Sequence, residues 1–157
     1  MNKNKWSLLI LAIILPFIVA IIGSYFTTPA IPTWYANLNK PFFSPPNWLF
    51  GPVWTILYLM MGISIYLIWL KEGINFKKSQ VVFYLQLILN ALWSIIFFGL
   101  NSPGLAFFII IFLWLLLLYC ILEFKKINLL ASWLLVPYIL WVSFASLLNF
   151  SIWYLNR

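Results

Sequence analysis

The chain has 157 residues, 66% of them hydrophobic and only 7% charged, with a formal net charge of +7. A soluble domain carries about 25% charged residues, so this composition belongs to an integral membrane protein, of a length suited to one compact helical bundle. With no histidine, one cysteine (Cys120) and two acids (Glu72 and Glu123), the sequence excludes a histidine-ligated metal or haem, a disulfide framework within the chain, an intramembrane carboxylate relay and a Ser-His-Asp triad. No metal site and no resident cofactor is expected. The cations are spread among short loops rather than gathered on a soluble face, which reads as membrane topology and not as a nucleic-acid surface.

The first apolar run covers residues 6–28 and follows Lys3 and Lys5. It is long enough to span, exceeds the apolar core of a signal peptide and lacks an A-x-A-like site after it, so it reads as an uncleaved helix. Pro16 inside it is expected to kink the helix. Residues 29–48 read as a stiff aromatic loop. Pro41, Pro45, Pro46 and Pro52 deny the backbone donors a helix needs, yet Trp34, Phe42, Phe43 and Trp48 make the stretch too aromatic for a solvated connection. It is expected to lie across the bundle as a lid, with Trp34, Lys40, Pro45 and Pro46 as its marked residues. Pro52 suits the first turn of the helix that follows.

Four more spans are expected over about 49–70, 80–100, 104–124 and 129–155, each near the roughly 20 residues that a bilayer core demands. The fold class is therefore an all-α membrane protein, a bundle of five transmembrane helices forming one domain over residues 1–157. Lys3, Lys5, Lys71, Lys77, Lys78, Lys125 and Lys126 then share one side, against Lys40 and Arg157 on the other. Seven cations against two place the N-terminus in the cytoplasm and the C-terminus outside, in a multi-pass protein of a bacterial cytoplasmic membrane.

Within the third span, Gln86, Asn90 and Ser94 fall on one helical face beside Trp93 and Phe97. Such a face either hydrogen-bonds neighbouring helices or offers Asn90 as a polar handle in an aromatic cavity. In the fifth span Pro137, Trp141, Ala145 and Leu148 or Asn149 form a stripe, with Ala145 leaving room beside the Trp141 indole. Trp6, Trp48, Trp153 and Tyr154 read as an interfacial belt, and Trp114 and Tyr119 as packing or lipid contact. Trp54 and Trp141 stand apart, each inside its span and close to a proline. Together these rings suit a large flat apolar ligand with polar edges, such as a tetrapyrrole or a sterol.

Three stretches carry a resemblance. Trp34 to Tyr58 reads W-Y-x-x-L-x-K-P-x-x-x-P-P-x-W-x-F-x-P-V-W-T-x-L-Y; Leu89 to Gly99 reads LNALWSIIFFG; and Pro137 to Ala145 reads PYILWVSFA, continuing to Leu148-Asn149. In this order and spacing the chain resembles the TspO/MBR family, the translocator proteins and bacterial tryptophan-rich sensory proteins. The resemblance implies a five-helix bundle, commonly dimeric, with a pocket beneath the first loop that binds porphyrins and, in animal members, cholesterol and benzodiazepine-type drugs. Carried over by motif position, it implies ligand contact at Tyr35, Trp54, Asn90, Trp93, Trp141 and Ala145. It also implies Trp54 and Trp141 as the residues of a light- and oxygen-dependent porphyrin breakdown, if this chain performs one. No conventional acid, base or nucleophile is present for that chemistry.

Two departures stand out. Phe43 occupies a loop position where some members carry tryptophan. Ala91 and Gly99 are eight apart with Ile95 between, so a homodimer through the third span rests on the resemblance alone. Leu148, Tyr154 and Arg157 meet a loose sterol-contact pattern that chance also satisfies. The expected role is a membrane receptor that binds porphyrin, in porphyrin handling or stress sensing. The alternatives are a porphyrin-degrading enzyme and a small-solute transporter or structural membrane partner.

Overall fold

In hydrocarbon every backbone N–H and C=O must find its partner within the protein, and apolar runs of this length do so as helices. The computed structural model describes residues 3–75 and 77–157, with side chains from Lys5 onward. The Lys3 side chain counted in the orientation reading therefore lies outside the described residues. The helices are α1 (Lys3–Ala30), α2 (Phe50–Glu72), α3 (Lys78–Ser94), α4 (Pro103–Ile127), α5 (Leu129–Leu134) and α6 (Val136–Leu155). Five segments are long and apolar enough to cross a membrane, the last being α5 and α6 together. This is the expected all-helical membrane fold.

Three boundaries differ from the sequence reading. The helical run of α1 continues unbroken through Pro16 and Pro29 to Ala30, two residues beyond the expected end. The third span closes in a π turn over Ile95–Gly99, where the Leu100 N–H reaches back five residues to the Ile95 carbonyl at 2.9 Å. The fifth span breaks at Leu135. Pro137 has no N–H to give the Trp133 carbonyl, and Leu135 instead donates to Ser132 at 3.1 Å. Asn128 caps α5, its side chain accepting from the Ala131 N–H at 3.2 Å.

The helices close a ring. α1 packs on α2 and α3, α3 on α4, α4 on both α5 and α6, and α2 on α5. Among these neighbours α2 lies close to α5 but stands off from α6, and the break at Leu135 falls where that change occurs. Buried hydroxyls and an indole pin the ring. Ser64 donates to the Ala131 carbonyl at 2.7 Å, Ser132 to the Ile121 carbonyl at 3.1 Å, and the Trp114 indole to Ser143 Oγ at 2.8 Å. Such interhelical bonds contribute about 0.6–2 kcal/mol each in a membrane. Trp114 is thus an α4–α6 tie. Trp6 and Trp48 are exposed, as a belt requires. Trp153, by contrast, stacks on Phe107 at 5.9 Å and closes over Gly104.

At the end of the bundle away from the lid, Lys77 pairs with Glu72 at 3.5 Å, and Glu123 meets Lys126 at 2.7 Å and Lys78 at 3.8 Å. α1 and α2 touch closely at Gly62, where an added Cβ would stand 2.8 Å from the Ile13 Cα and 3.1 Å from the Ala12 carbonyl oxygen. Backbone cannot yield as a side chain does. Gly62→Ala is therefore expected to force the two helices apart and destabilise the fold by about 1–3 kcal/mol, read as a lowered unfolding midpoint in detergent. An unchanged midpoint would mean the contact is loose.

Candidate ligand-binding chamber

Where α2 and α6 stand apart, aromatic side chains fill the gap. The floor is a hydrogen-bonded knot across three helices. Tyr58 of α2 donates to Asn90 Oδ1 of α3 at 2.7 Å, and the Asn90 amide donates to the Tyr138 hydroxyl of α6 at 3.0 Å. Asn90 is 2% exposed and Tyr138 fully buried. The amide that the sequence offers as a polar handle thus has both ends engaged and lies beneath the chamber rather than on its wall. Trp54 sits on the knot, stacked on Tyr58 at 5.5 Å and edge-on to Tyr138 at 6.1 Å.

Two cavities meet at one aromatic partition made by Tyr35, Phe50, Trp54, Trp93 and Phe98. On the α6 side lies a narrow space of about 30 Å³, bounded also by Trp141, Ala145 and Asn149, with room for a water or two. On the α1 side lies a cleft of about 380 Å³, within the range of small-molecule sites. Trp93 and Trp54 are 6.4 Å apart, and Phe50 packs edge-on to Trp141 at 6.1 Å. The structure therefore brings Tyr35, Trp54, Trp93, Trp141 and Ala145 together around the narrow space. The sequence reading missed Phe50 and Phe98 and set Phe97 only beside the Asn90 face, although all three lie inside the motif stretches.

The indoles differ in what their N–H groups do. Trp93 donates to Asn149 Oδ1 at 2.9 Å, and Asn149 in turn donates to the Pro103 carbonyl at 2.7 Å, which fastens α3, α6 and the start of α4. Among the described residues the buried Trp141 N–H finds no hydrogen-bond partner, nor does the hydroxyl of Tyr35, a residue only 3% exposed. Burial pushes the Tyr35 phenol above its ordinary value, outweighing the opposite pull of the nearby Ser44 side chain. An unpartnered donor in a water-poor site costs about 1–3 kcal/mol. The chamber holds two.

The lid is tied down at several points. Trp34 packs edge-on to Phe97 at 5.6 Å, and Phe43 meets Phe144 of α6 at 6.3 Å. Lys40 curls back on the loop, its ammonium donating to the Ala36 and Leu38 carbonyls at 3.2 and 3.3 Å and lying 4.8 Å from the Tyr35 ring centroid. Pro45 is half-buried and Pro46 exposed, just before a 3-10 turn over Asn47–Leu49. A further tie is one the sequence did not announce. Asn156, beyond α6, accepts from the Asn39 N–H at 2.9 Å and donates to the Asn39 carbonyl at 2.9 Å. Asn156→Ala is expected to speed amide exchange across residues 38–44 by about 1–3 kcal/mol of local opening free energy. Global unfolding should stay within about 0.5 kcal/mol. Unchanged exchange would mean the latch does not hold the lid.

A sequence profile of the TspO/MBR family matches residues 12–155. The tryptophan-rich protein TspO of Archaeoglobus fulgidus is 44% identical over 148 residues, covering 94% of this chain and 96% of that protein. That of Chlorobaculum tepidum is 44% identical over 160 residues, covering 99% of each. The human translocator protein is 36% identical over 141 residues, covering 88% of this chain and 83% of its own. With the profile spanning nearly the whole chain and five membrane-crossing helices in place, this protein belongs to the TspO/MBR family.

Proposed function

We propose that this protein is a membrane receptor for a flat, largely apolar ligand of the porphyrin type, held in the aromatic chamber beneath the lid and serving porphyrin handling or stress sensing. The observation that carries the reading is the pair of unpartnered donors, the Tyr35 hydroxyl and the Trp141 indole N–H, beside rings that offer stacking area. A ligand with acceptor atoms at its edge relieves both. The narrow space of about 30 Å³ is far below a tetrapyrrole's needs, so binding requires the Phe50–Trp54 partition to swing and join it to the larger cleft. Trp54, Trp93, Trp141 and Ala145 contact the ligand in this reading, and Asn90 holds the floor. The names of relatives, translocator and tryptophan-rich sensory protein, are consistent with a receptor or sensor. The cation distribution supports a cytoplasmic N-terminus in a bacterial membrane, and one domain forming a homodimer completes the proposal.

A second reading is light- and oxygen-dependent breakdown of the bound porphyrin. It is favoured by Trp54, which belongs to both cavities and stacks on Tyr58, so an oxidised indole would have a phenol within van der Waals reach. One titration separates the readings. Purified protein in detergent is titrated with protoporphyrin, following tryptophan quenching in the dark and the pigment spectrum under light. The receptor reading predicts saturable quenching with a recoverable pigment, and affinity losses of about 0.5–1.5 kcal/mol in Trp54→Phe and Trp141→Phe. New absorbance bands that vanish in both variants would establish the enzyme. No saturable quenching would overturn both and leave a transporter or structural partner.

A further inference from the structure

The lid contains a turn whose corners are apolar. The Ser44 N–H donates to the Pro41 carbonyl at 3.0 Å, closing a β-turn with Phe42 and Phe43 at its two central positions. Such positions ordinarily hold glycine, proline, asparagine, aspartate or serine, which suit both the backbone and water. Here the two rings meet edge to face at 5.5 Å, and Phe43 reaches on to Phe144 of α6 at 6.3 Å. Phe42 points the other way. It is 101% exposed, the most open large apolar side chain among the described residues.

The helices fix the level of this turn. Lys71 and Glu72 close α2 at its cation-rich end. A hydrocarbon core of about 30 Å takes up about 20 residues of helix, and counting that far back from Leu70 reaches Phe50, where α2 begins. Phe50 packs on Trp141 at 6.1 Å, Trp141 on Phe144 at 5.5 Å, and Phe144 on Phe43. This chain of contacts sets the turn beside the lid-side edge of the hydrocarbon. It also sets the turn at the rim of the bundle, because Leu140 and Leu147, one turn to either side of Phe144, are exposed on a membrane-crossing segment. The polar groups next to the turn are already engaged within the chain. The Lys40 ammonium lies on the Ala36 and Leu38 carbonyls, and the Asn39 backbone is held by Asn156.

We infer that the Phe42–Phe43 turn anchors the lid to the bilayer. Phe43 grips α6, and Phe42 inserts among the acyl chains of the lid-side leaflet, just beneath the headgroups. A bare ring with no free directional group beside it fits a fluid apolar phase, and it continues the lipid-exposed face of α6 without a break. Aromatic rings collect at this depth of a membrane. The lid is then fastened twice, by Asn156 to the bundle and by Phe42 to lipid, so closure over the chamber senses the state of the leaflet. The inference holds whatever the chamber binds.

The test uses full-length protein in phosphatidylcholine vesicles, with a nitroxide attached at Phe42→Cys. The native Cys120 is buried and stays unlabelled. Electron paramagnetic resonance compares relaxation by dioxygen, which concentrates in hydrocarbon, with relaxation by a nickel chelate, which stays in water. Leu147→Cys on the exposed face of α6 supplies the lipid reference, and Arg157→Cys beyond the end of α6 the aqueous one. The expected ratio of dioxygen to nickel access at the Phe42 position matches that at Leu147. A second readout, without any label, is the amide exchange of Ser44, whose N–H closes the turn. Phe42→Ser is expected to speed it by about tenfold or more, the low end of what removing a phenyl ring from water is worth. Phe42→Leu, which keeps an apolar side chain in the leaflet, is expected to exchange at nearly the unaltered rate. Since Phe42 lies outside the core, both variants leave the fold intact.

Nickel access at the Phe42 position equal to that at Arg157 overturns the inference. So does Ser44 exchange that is unchanged in Phe42→Ser, or equally fast in Phe42→Leu, which would assign the effect to the lost contact between the two rings. Broadening between labels at the Phe42 position that grows with the protein-to-lipid ratio would give the ring to a second copy of the chain, and overturns it too.

Discussion

Tyr58, Asn90 and Tyr138 join α2, α3 and α6 through two hydrogen bonds to one amide, at a depth where no solvent can replace either bond. Buried in hydrocarbon, each of these groups is costly when alone and inexpensive when paired. The three helices are therefore held at the spacing at which all three groups are satisfied. That spacing is wide. α2 rests on α5 below the knot but stands off from α6 at its level, and the break ahead of Pro137 lets the fifth span change neighbours there. Rings fill what backbone does not, and Trp54 takes its place because Tyr58 and Tyr138 present their faces and edges to it.

Everything above the knot follows from that gap. The partition of Tyr35, Phe50, Trp54, Trp93 and Phe98 divides it into a small aromatic space and a larger hydroxyl-lined cleft. The π turn at Ile95–Gly99 adds a residue to the last turn of the third span at this level, where Phe97 and Phe98 pack against Tyr35. Such turns recur where a helix serves a site rather than merely a bundle. The lid is not held by hydrophobic contact alone, since Asn156 grips the Asn39 backbone from the end of the last helix. Chamber and lid are thus mechanically connected through α6, which carries Trp141, Ala145 and Asn149 and ends at the latch.

Much of this was legible in the sequence, for physical reasons. Twenty-residue apolar runs have one solution in a bilayer, so five spans and their order could be read directly, and the prolines of the loop forbade a sixth span. Trp54, Trp93, Trp141 and Ala145 could be brought to one place because helical spacing and the motifs agreed. Asn90 could not be assigned, since a polar face on a membrane helix looks the same whether it awaits a ligand or a tyrosine. What engages its amide in the fold is the position of Tyr58 and Tyr138, a tertiary fact. The break at Leu135, the π turn and the Trp114–Ser143 tie likewise depend on neighbours rather than on local pattern. Asn156 is the plainest example, because an asparagine near a chain end has no signature until the loop it holds is folded beside it.

The measurement that bears most directly on this account is the unfolding of Asn90→Ala in the absence of any ligand. Removing the amide strands two buried phenols, each at about 1–3 kcal/mol. The account predicts a clear loss of stability, together with a change in Trp54 fluorescence as its support loosens. An unfolding midpoint equal to that of the unaltered protein, with only ligand binding impaired, would contradict it. Asn90 would then be a ligand contact, and the chamber would be held open by something other than the knot beneath it.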